Sequence, residues 1–147
     1  MAESGLITES ELKEFAVDWY KKLDVHAPAD EYAPLLAADV ELRFPEATVK
    51  GVAGFNDWYF SAINSYFDEV HIVKQVKLTS STPEQSEVKV VVKWEASLWK
   101  PPAATSERVV LDAYQTWIVK RSPQTNQPVI SLYIVDEFQY YEGSFRL

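Results

Sequence analysis

The change of periodicity near residue 70 is the feature that most constrains what this chain can fold into. Before it, apolar residues recur at the three- and four-residue spacing of amphipathic helices. After it, they alternate along four long segments, at residues 70–79, 87–99, 108–120 and 129–141. The connectors SSTPEQS, KPPAATSE and RSPQTNQP are short and rich in proline and polar residues, as hairpin connections are. We therefore expect an antiparallel meander.

The N-terminal part predicts three helices. The sequence TESE offers a capping box, in which Thr8 caps a helix and Glu11 reaches back to the backbone. Apolar residues then follow at helical spacing up to Leu23. A short second helix is expected over residues 30–38 and a third over residues 52–67.

A short hairpin is expected between the second and third helices, because residues 40–44 alternate before Pro45 stops the strand. Three helices packed on one face of a strongly curved antiparallel sheet make an α+β fold. We expect a single domain over residues 1–147, of which residues 1–7 form a flexible arm.

The overall composition excludes several classes of function. The net charge is −8 and the basic residues form no stripe, which argues against nucleic-acid and anionic-membrane partners. The chain has no cysteine, which excludes disulfides and thiolate chemistry. No apolar run approaches the ~20 residues of a membrane span, and the N-terminus lacks the regions of a signal peptide. A cytoplasmic protein is therefore expected.

Three motifs carry a family resemblance: FAVDWYKKLD on the first helix, LLAADVELRFP entering the first strand, and VKGVAGFNDWY entering the third helix. They resemble the NTF2-like superfamily, which includes nuclear transport factor 2, ketosteroid isomerase, scytalone dehydratase, limonene epoxide hydrolase and SnoaL-like cyclases. The resemblance covers residues 12–141. It implies a cone with an apolar internal pocket, and a homodimer formed through the sheet. It also implies a small hydrophobic or aromatic molecule as ligand or substrate, with no cofactor.

Two polar residues stand on otherwise apolar strand faces, Gln115 and Asp136. A carboxylate in an apolar pocket can act as a general acid or base near neutral pH, so Asp136 is a candidate catalytic group. The alternatives are that it pairs with a lysine or tyrosine, or that a β-bulge turns it outward. Gln115 is a candidate for orienting a substrate oxygen, or is a core amide satisfied by its neighbours.

Aromatic residues make up 14% of the chain and can either line a pocket or fill the cone. The candidates for ligand contact are Trp19, Phe44, Trp58, Tyr59, Trp94, Trp117 and Phe138. Strand alternation places His71 opposite Val70 and Ile72, on the surface or on a dimer face, although Lys74 interrupts this strand and a bulge there would shift the alternation. His26 is expected to be solvated, and the two histidines lack the spacing of a metal site.

The residue directly before Pro45 bears on one type of enzyme chemistry, that of ketosteroid isomerase. Ketosteroid isomerase has its general base directly before this proline, and the resemblance aligns Phe44 with that base. It aligns Trp19 with the tyrosine donor and Gln115 with the aspartic-acid donor, so isomerase chemistry of that kind is not expected.

Three functional interpretations remain open. The first is an NTF2-like domain that binds a small hydrophobic ligand. The second is a cofactor-independent SnoaL-like hydrolase, isomerase or cyclase that uses Asp136. The third is a protein-interaction module of the nuclear-transport-factor type.

Overall fold

The computed structural model describes residues 6–147. Helix α1 spans Glu9–Asp24 and helix α2 spans Gly51–Ser65. The strands are β1 (Leu36–Arg43), β2 (Thr48–Lys50), β3 (Tyr66–Ser81), β4 (Ser86–Leu98), β5 (Glu107–Arg121) and β6 (Pro128–Tyr140). Helices packed on a six-stranded sheet give the predicted α+β fold.

Helix α1 begins at the predicted capping box. The hydroxyl of Thr8 accepts a hydrogen bond from the backbone N–H of Glu11 at 3.1 Å, and the carboxylate of Glu11 accepts one from the N–H of Thr8 at 3.3 Å. Most of the predicted N-terminal arm lies outside the described residues. At its end, however, Ile7 is buried in the core, so the prediction that the arm extends to residue 7 was wrong.

The short second helix predicted over residues 30–38 is not an α-helix. Its first part forms two 3₁₀ turns, Ala29–Glu31 and Ala33–Leu35, and its last residues belong to β1. The segment is anchored by a side chain, because the buried hydroxyl of Tyr32 donates to the carbonyl oxygen of Trp19 at 3.0 Å. This contact replaces the packing of a helical face.

The sheet has the strand order β2-β1-β6-β5-β4-β3. Strands β3 to β6 form the predicted antiparallel meander, and β2 pairs antiparallel with β1. Strand β1 pairs parallel with β6, which the sequence pattern did not predict. The buried side chains form one continuous hydrophobic cluster between the helices and the inner face of the sheet.

Two irregularities in β6 change which residues face inward. The register with β5 shifts between Ile118 and Val119 and again between Tyr114 and Gln115. Between these shifts the alternation is inverted, so that Tyr133 and Val135 are buried and Asp136 is exposed. The placement of Asp136 on the inner face was therefore wrong.

Strand β3 has an irregularity of the same kind at Lys74. Val73 pairs with Val92 and Gln75 pairs with Val91, which leaves Lys74 without an opposite residue. The residues before Lys74 consequently have the opposite alternation from the one expected. Within the described residues, no helix is long and apolar enough to cross a membrane.

Candidate functional site

A cavity of about 400 Å³ lies between the helices and the inner face of the meander. This volume falls within the ~300–1,000 Å³ of pockets that hold small molecules. Of the predicted site residues, six line it: Phe44, Trp58, Tyr59, Trp94, Gln115 and Phe138. Trp19 and Trp117 do not line it and are fully buried in the core beside it.

One wall of the cavity is aromatic. Phe44 leaves β1 just before Pro45 and stacks on Trp58 of α2, with ring centroids 4.9 Å apart and an interplanar angle of 16°. A tight turn follows Phe44 and is closed by a hydrogen bond from the backbone N–H of Phe44 to the carbonyl oxygen of Ala47 at 2.8 Å. The turn fixes the ring against α2, and the position contributes apolar surface and no acid–base group.

One histidine of the cavity wall is paired with a carboxylate behind it. Nδ1 of His71 on β3 lies 2.6 Å from Oδ1 of Asp24, the last residue of α1. The other carboxylate oxygen of Asp24 accepts the backbone N–H of His71 at 3.1 Å. The side chain of His71 is 8% exposed and lines the cavity. Asp24 therefore holds both the ring and the backbone of His71.

The hydrogen bond to Asp24 defines which nitrogen of His71 is available. A carboxylate only accepts hydrogen bonds, so Nδ1 carries a proton and the neutral ring has its lone pair on Nε2. Within the described residues, Nε2 has no hydrogen-bond partner. When it is neutral, an imidazole that lines a cavity and is oriented by a carboxylate can accept a proton from a bound molecule.

Two aromatic rings hold the imidazole between them. The ring of Tyr20 stacks on that of His71 with centroids 4.7 Å apart, and the ring of Trp94 stacks on it at 6.0 Å. Both aromatic residues also line the cavity. These contacts restrict rotation of the imidazole, which already has one fixed nitrogen.

The expectation that His71 lies on the surface was wrong. The bulge at Lys74 inverts the alternation of the first part of β3, so that His71 and Val73 turn inward while Val70 and Ile72 are exposed. The sequence contained a sign of this bulge, because Lys74 interrupts an apolar strand face that continues beyond it. His26 is also not simply solvated, since its Nε2 lies 2.6 Å from Oε2 of Glu69.

A second polar cluster joins helix α1 to strands β5 and β6. Nε1 of Trp117 donates to Oε1 of Gln115 at 3.0 Å, and Nε2 of Gln115 lies 2.8 Å from the hydroxyl of Tyr20. That hydroxyl lies 3.0 Å from the hydroxyl of Tyr133. Gln115 is thus satisfied by its neighbours and still lines the cavity together with Tyr20 and Tyr133.

The tyrosines of this cluster are held in the neutral form. Burial raises the pKa of the Tyr133 hydroxyl to about 12 and raises the pKa of Tyr20 well above its usual value. Both hydroxyls therefore keep their protons at neutral pH and can donate hydrogen bonds.

Asp136 lies away from this cavity. Its Oδ2 accepts a hydrogen bond from the hydroxyl of Thr116 at 2.7 Å, and Thr116 in turn accepts one from Lys89 at 2.7 Å. The carboxylate thus belongs to a polar network on the outer face of the sheet, one of the alternatives considered for it. Within residues 6–147, no group of three or more acidic or histidine side chains could hold a metal ion.

Comparison with known proteins identifies the fold. No protein-family model and no curated protein matches the chain. Solved structures do match it, among them a hexachlorocyclohexane dehydrochlorinase, LinA-type3, from Novosphingobium barchaimii (15% identity, TM-score 0.72, covering 94% of this chain and 93% of that chain). The β subunit of benzoate 1,2-dioxygenase from Burkholderia mallei is similar as well (15% identity, TM-score 0.69, covering 88% and 89%). The fold is the NTF2-like cone that the sequence motifs resemble.

Proposed function

We propose that this protein is a cofactor-independent enzyme that binds a small, largely apolar molecule and removes a proton from one of its carbon atoms. His71 is the general base, and Asp24 orients it. The observation that carries the proposal is the His71–Asp24 pair, whose histidine lines a largely aromatic and aliphatic cavity.

The pair has the features that a base needs for such a step. Asp24 fixes Nδ1 as the protonated nitrogen and balances the positive charge that forms on the ring when Nε2 accepts a proton. The aromatic wall of Phe44 and Trp58 supplies apolar contact surface for a ring or alkyl chain. A positioned general base contributes on the order of 10²–10⁴-fold to the rate.

One structural neighbour supports this class of reaction. It is named a hexachlorocyclohexane dehydrochlorinase, and elimination of hydrogen chloride removes a proton from carbon. At 15% identity the likeness concerns the fold, so the reaction is proposed from the residues of this chain. Asp136 does not line this cavity, so it is not the acid or base of the proposed reaction.

Binding without catalysis is the second candidate. Binding alone needs only the aromatic cavity of about 400 Å³. It gives no role to the hydrogen-bonded His71–Asp24 pair, which therefore favours catalysis. The expected homodimer stays a prediction, as does the expected cytoplasmic location. The exposed Val70 and Ile72 on the outer face of β3 would supply part of such an interface.

Deuterium incorporation tests the proposal without knowledge of the natural substrate. The protein is incubated in D₂O with a panel of small ring ketones and halogenated rings, and loss of C–H signals and release of halide are followed by NMR and ion chromatography. We expect wild type to accelerate one of these reactions, and His71→Gln to lower that rate by roughly 10²–10⁴-fold.

The matched control is Asp136→Asn, which removes a carboxylate from the outer face and should leave the rate unchanged. Equal rates for wild type and His71→Gln would refute the proposal. So would a panel whose members bind in the cavity and undergo neither exchange nor elimination.

A further inference from the structure

We propose that Glu69 is a positioning residue for the base. It holds the indole ring of Trp94 against the imidazole of His71, and His26 holds Glu69 from the solvent side. This inference rests on the proposed function, because an imidazole that takes no part in a reaction has no need of a fixed orientation.

The register of β3 and β4 brings these side chains together. His71 and Trp94 are directly opposite each other in the ladder, so their rings are cross-strand neighbours. The register shifts between Phe67 and Val70, which places Glu69 in a β-bulge two residues before His71. The side chains of Glu69, His71 and Trp94 all line the cavity.

Glu69 uses both of its carboxylate oxygens. Oε1 accepts the indole N–H of Trp94 at 3.1 Å, and Oε2 lies 2.6 Å from Nε2 of His26. The side chain of Glu69 is 9% exposed and that of His26 is 29% exposed. A hydrogen bond to a charged group is roughly twice as strong as one between neutral groups. The carboxylate is therefore anchored on the solvent side and holds the indole on the cavity side.

This hydrogen bond fixes the indole in a direction that its packing leaves open. The ring of Trp94 packs against Tyr66, with centroids 4.9 Å apart and an interplanar angle of 68°, and stacks on His71 at 6.0 Å and 19°. On its remaining side Trp94 borders the cavity, which is free space into which the indole could turn. A hydrogen bond at Nε1 prevents that rotation.

The position of the indole matters to the base for two reasons. The hydrogen bond from Nδ1 of His71 to Asp24 leaves the ring able to swing about that contact, and the stacked rings of Trp94 and Tyr20 restrict its plane. The face of an aromatic ring also attracts the positive charge that forms on the imidazole when Nε2 accepts a proton.

The burial of Glu69 supports this role. Removing a carboxylate from water is costly unless the group is paired and hydrogen-bonded. An apolar side chain would fill this part of the wall without that cost, but it could not accept the indole N–H. The presence of a carboxylate here is explained by the indole that it holds.

The kinetic test uses Glu69→Met, which keeps an unbranched side chain and removes both acceptors. In the reaction that His71→Gln slows, we expect kcat to fall roughly tenfold and KM to change less than about twofold, since a misplacement of about 1 Å can cost about 10²-fold. Glu69→Gln keeps an oxygen for the indole N–H and presents its NH₂ group to His26, so its kcat should stay within about threefold of wild type. In a Trp94→Phe background, which has no indole N–H to hold, Glu69→Met should have no further effect.

The NMR shifts of the ring protons of His71 give a second readout that needs no substrate. Stacked aromatic rings move these signals upfield, so we expect upfield signals in wild type and in Glu69→Gln, and a downfield change in Glu69→Met. The matched control is Trp99→Phe, which removes an indole N–H that donates to the carbonyl oxygen of Ala103 at 2.8 Å, outside the cavity. It should change neither kcat nor these shifts.

Each result supports or overturns the inference. Unchanged shifts and an unchanged kcat in Glu69→Met would overturn it and leave the base, and so would a loss of kcat that Glu69→Gln does not restore. Absence of any reaction that depends on His71 would overturn the base and the inference together. Where Glu69→Met fails to fold, His26→Ala at the partly exposed end loosens the same carboxylate. It should lower kcat by roughly threefold and move the same shifts, and a variant identical to wild type in both would overturn the inference.

Discussion

Replacing Gln115 with methionine tests the polar cluster of the cavity through stability alone. Methionine keeps the unbranched shape of the side chain and removes both its acceptor and its donor. In the folded protein, Gln115 accepts the indole N–H of Trp117 and donates to the hydroxyl of Tyr20. The substitution therefore acts on two buried partners at once.

The expected loss follows from what each partner has left. Trp117 is fully buried and loses its hydrogen-bond acceptor, which costs roughly 1–3 kcal/mol. Tyr20 keeps its bond to Tyr133, so its loss is smaller. We expect the free energy of unfolding of Gln115→Met to fall by about 2 kcal/mol in total, which corresponds to a drop of about 4–8 °C in Tm for a chain of this length.

Urea unfolding followed by circular dichroism measures the loss, and the same substitution in a Trp117→Phe background provides the decisive control. Phenylalanine has no indole N–H to leave unpaired, so Gln115→Met should cost about 1 kcal/mol less there than in wild type. Equal costs in the two backgrounds would show that Gln115 does not satisfy Trp117.

Two further perturbations address the core and the buried tyrosines. Phe55 of α2 is 0% exposed and packs against α1 and the turns that follow α1. Phe55→Ala should lower the free energy of unfolding by about 3–5 kcal/mol. Phe60→Ala on the same helix, 62% exposed, should change it by less than about 0.5 kcal/mol. Similar losses in urea unfolding for both variants would contradict the placement of α2. Burial raises the pKa of Tyr59 and of Tyr133 to about 12, against about 10 in an unfolded chain. Since the folded state binds these protons more tightly, their stabilising effect is complete below pH ~10 and is lost as the pH rises to about 12. Parallel titrations by absorbance at 295 nm and circular dichroism should show tyrosinate forming as structure is lost, and full ionisation near pH 10 with intact structure would refute this.

The fold was predictable because its signals are repeated over many residues. The capping box at Thr8, the helical spacing of α1 and α2, and four alternating segments each constrain the same α+β arrangement. The parallel contact of β1 with β6 was not predictable in this way, because it joins the first and last strands and no local pattern specifies it. The 3₁₀ turns after α1 escaped prediction because tertiary contacts of Tyr32 anchor them, among them the hydrogen bond to the carbonyl oxygen of Trp19 and the ring contacts with Phe55 and Tyr59.

The site was harder to predict, because single-residue bulges decide which side chains face the cavity. In β6 two bulges cancel, so Ile130 and Phe138 lie where simple alternation places them while Asp136 between them does not. Nothing in the sequence of β6 marks these positions. In β3 the bulge between Val73 and Gln75 is marked by Lys74, and taking that interruption as a bulge would have turned His71 inward. Gln115 lies on β5, whose register with β4 is unbroken, and it faces the cavity as simple alternation predicts.

The two histidine pairs form one joint between α1 and β3. The sequence Asp24-Val25-His26 pairs with Glu69-Val70-His71 in a crossed manner, Asp24 with His71 and His26 with Glu69, each at 2.6 Å. The first segment is the end of α1 with the turn that follows it, and the second lies in β3; in each, the valine between the acid and the histidine is exposed. Left-handed backbone at His26 (φ 50°) and Asp68 (φ 52°) turns the two segments toward each other. Glu69 stands in the cavity wall with one oxygen hydrogen-bonded to His26 and with the other accepting the indole N–H of Trp94 at 3.1 Å. The second pair thus holds Trp94 against the imidazole that the first pair orients, which explains why a chain with two histidines uses both at the same end of the cavity.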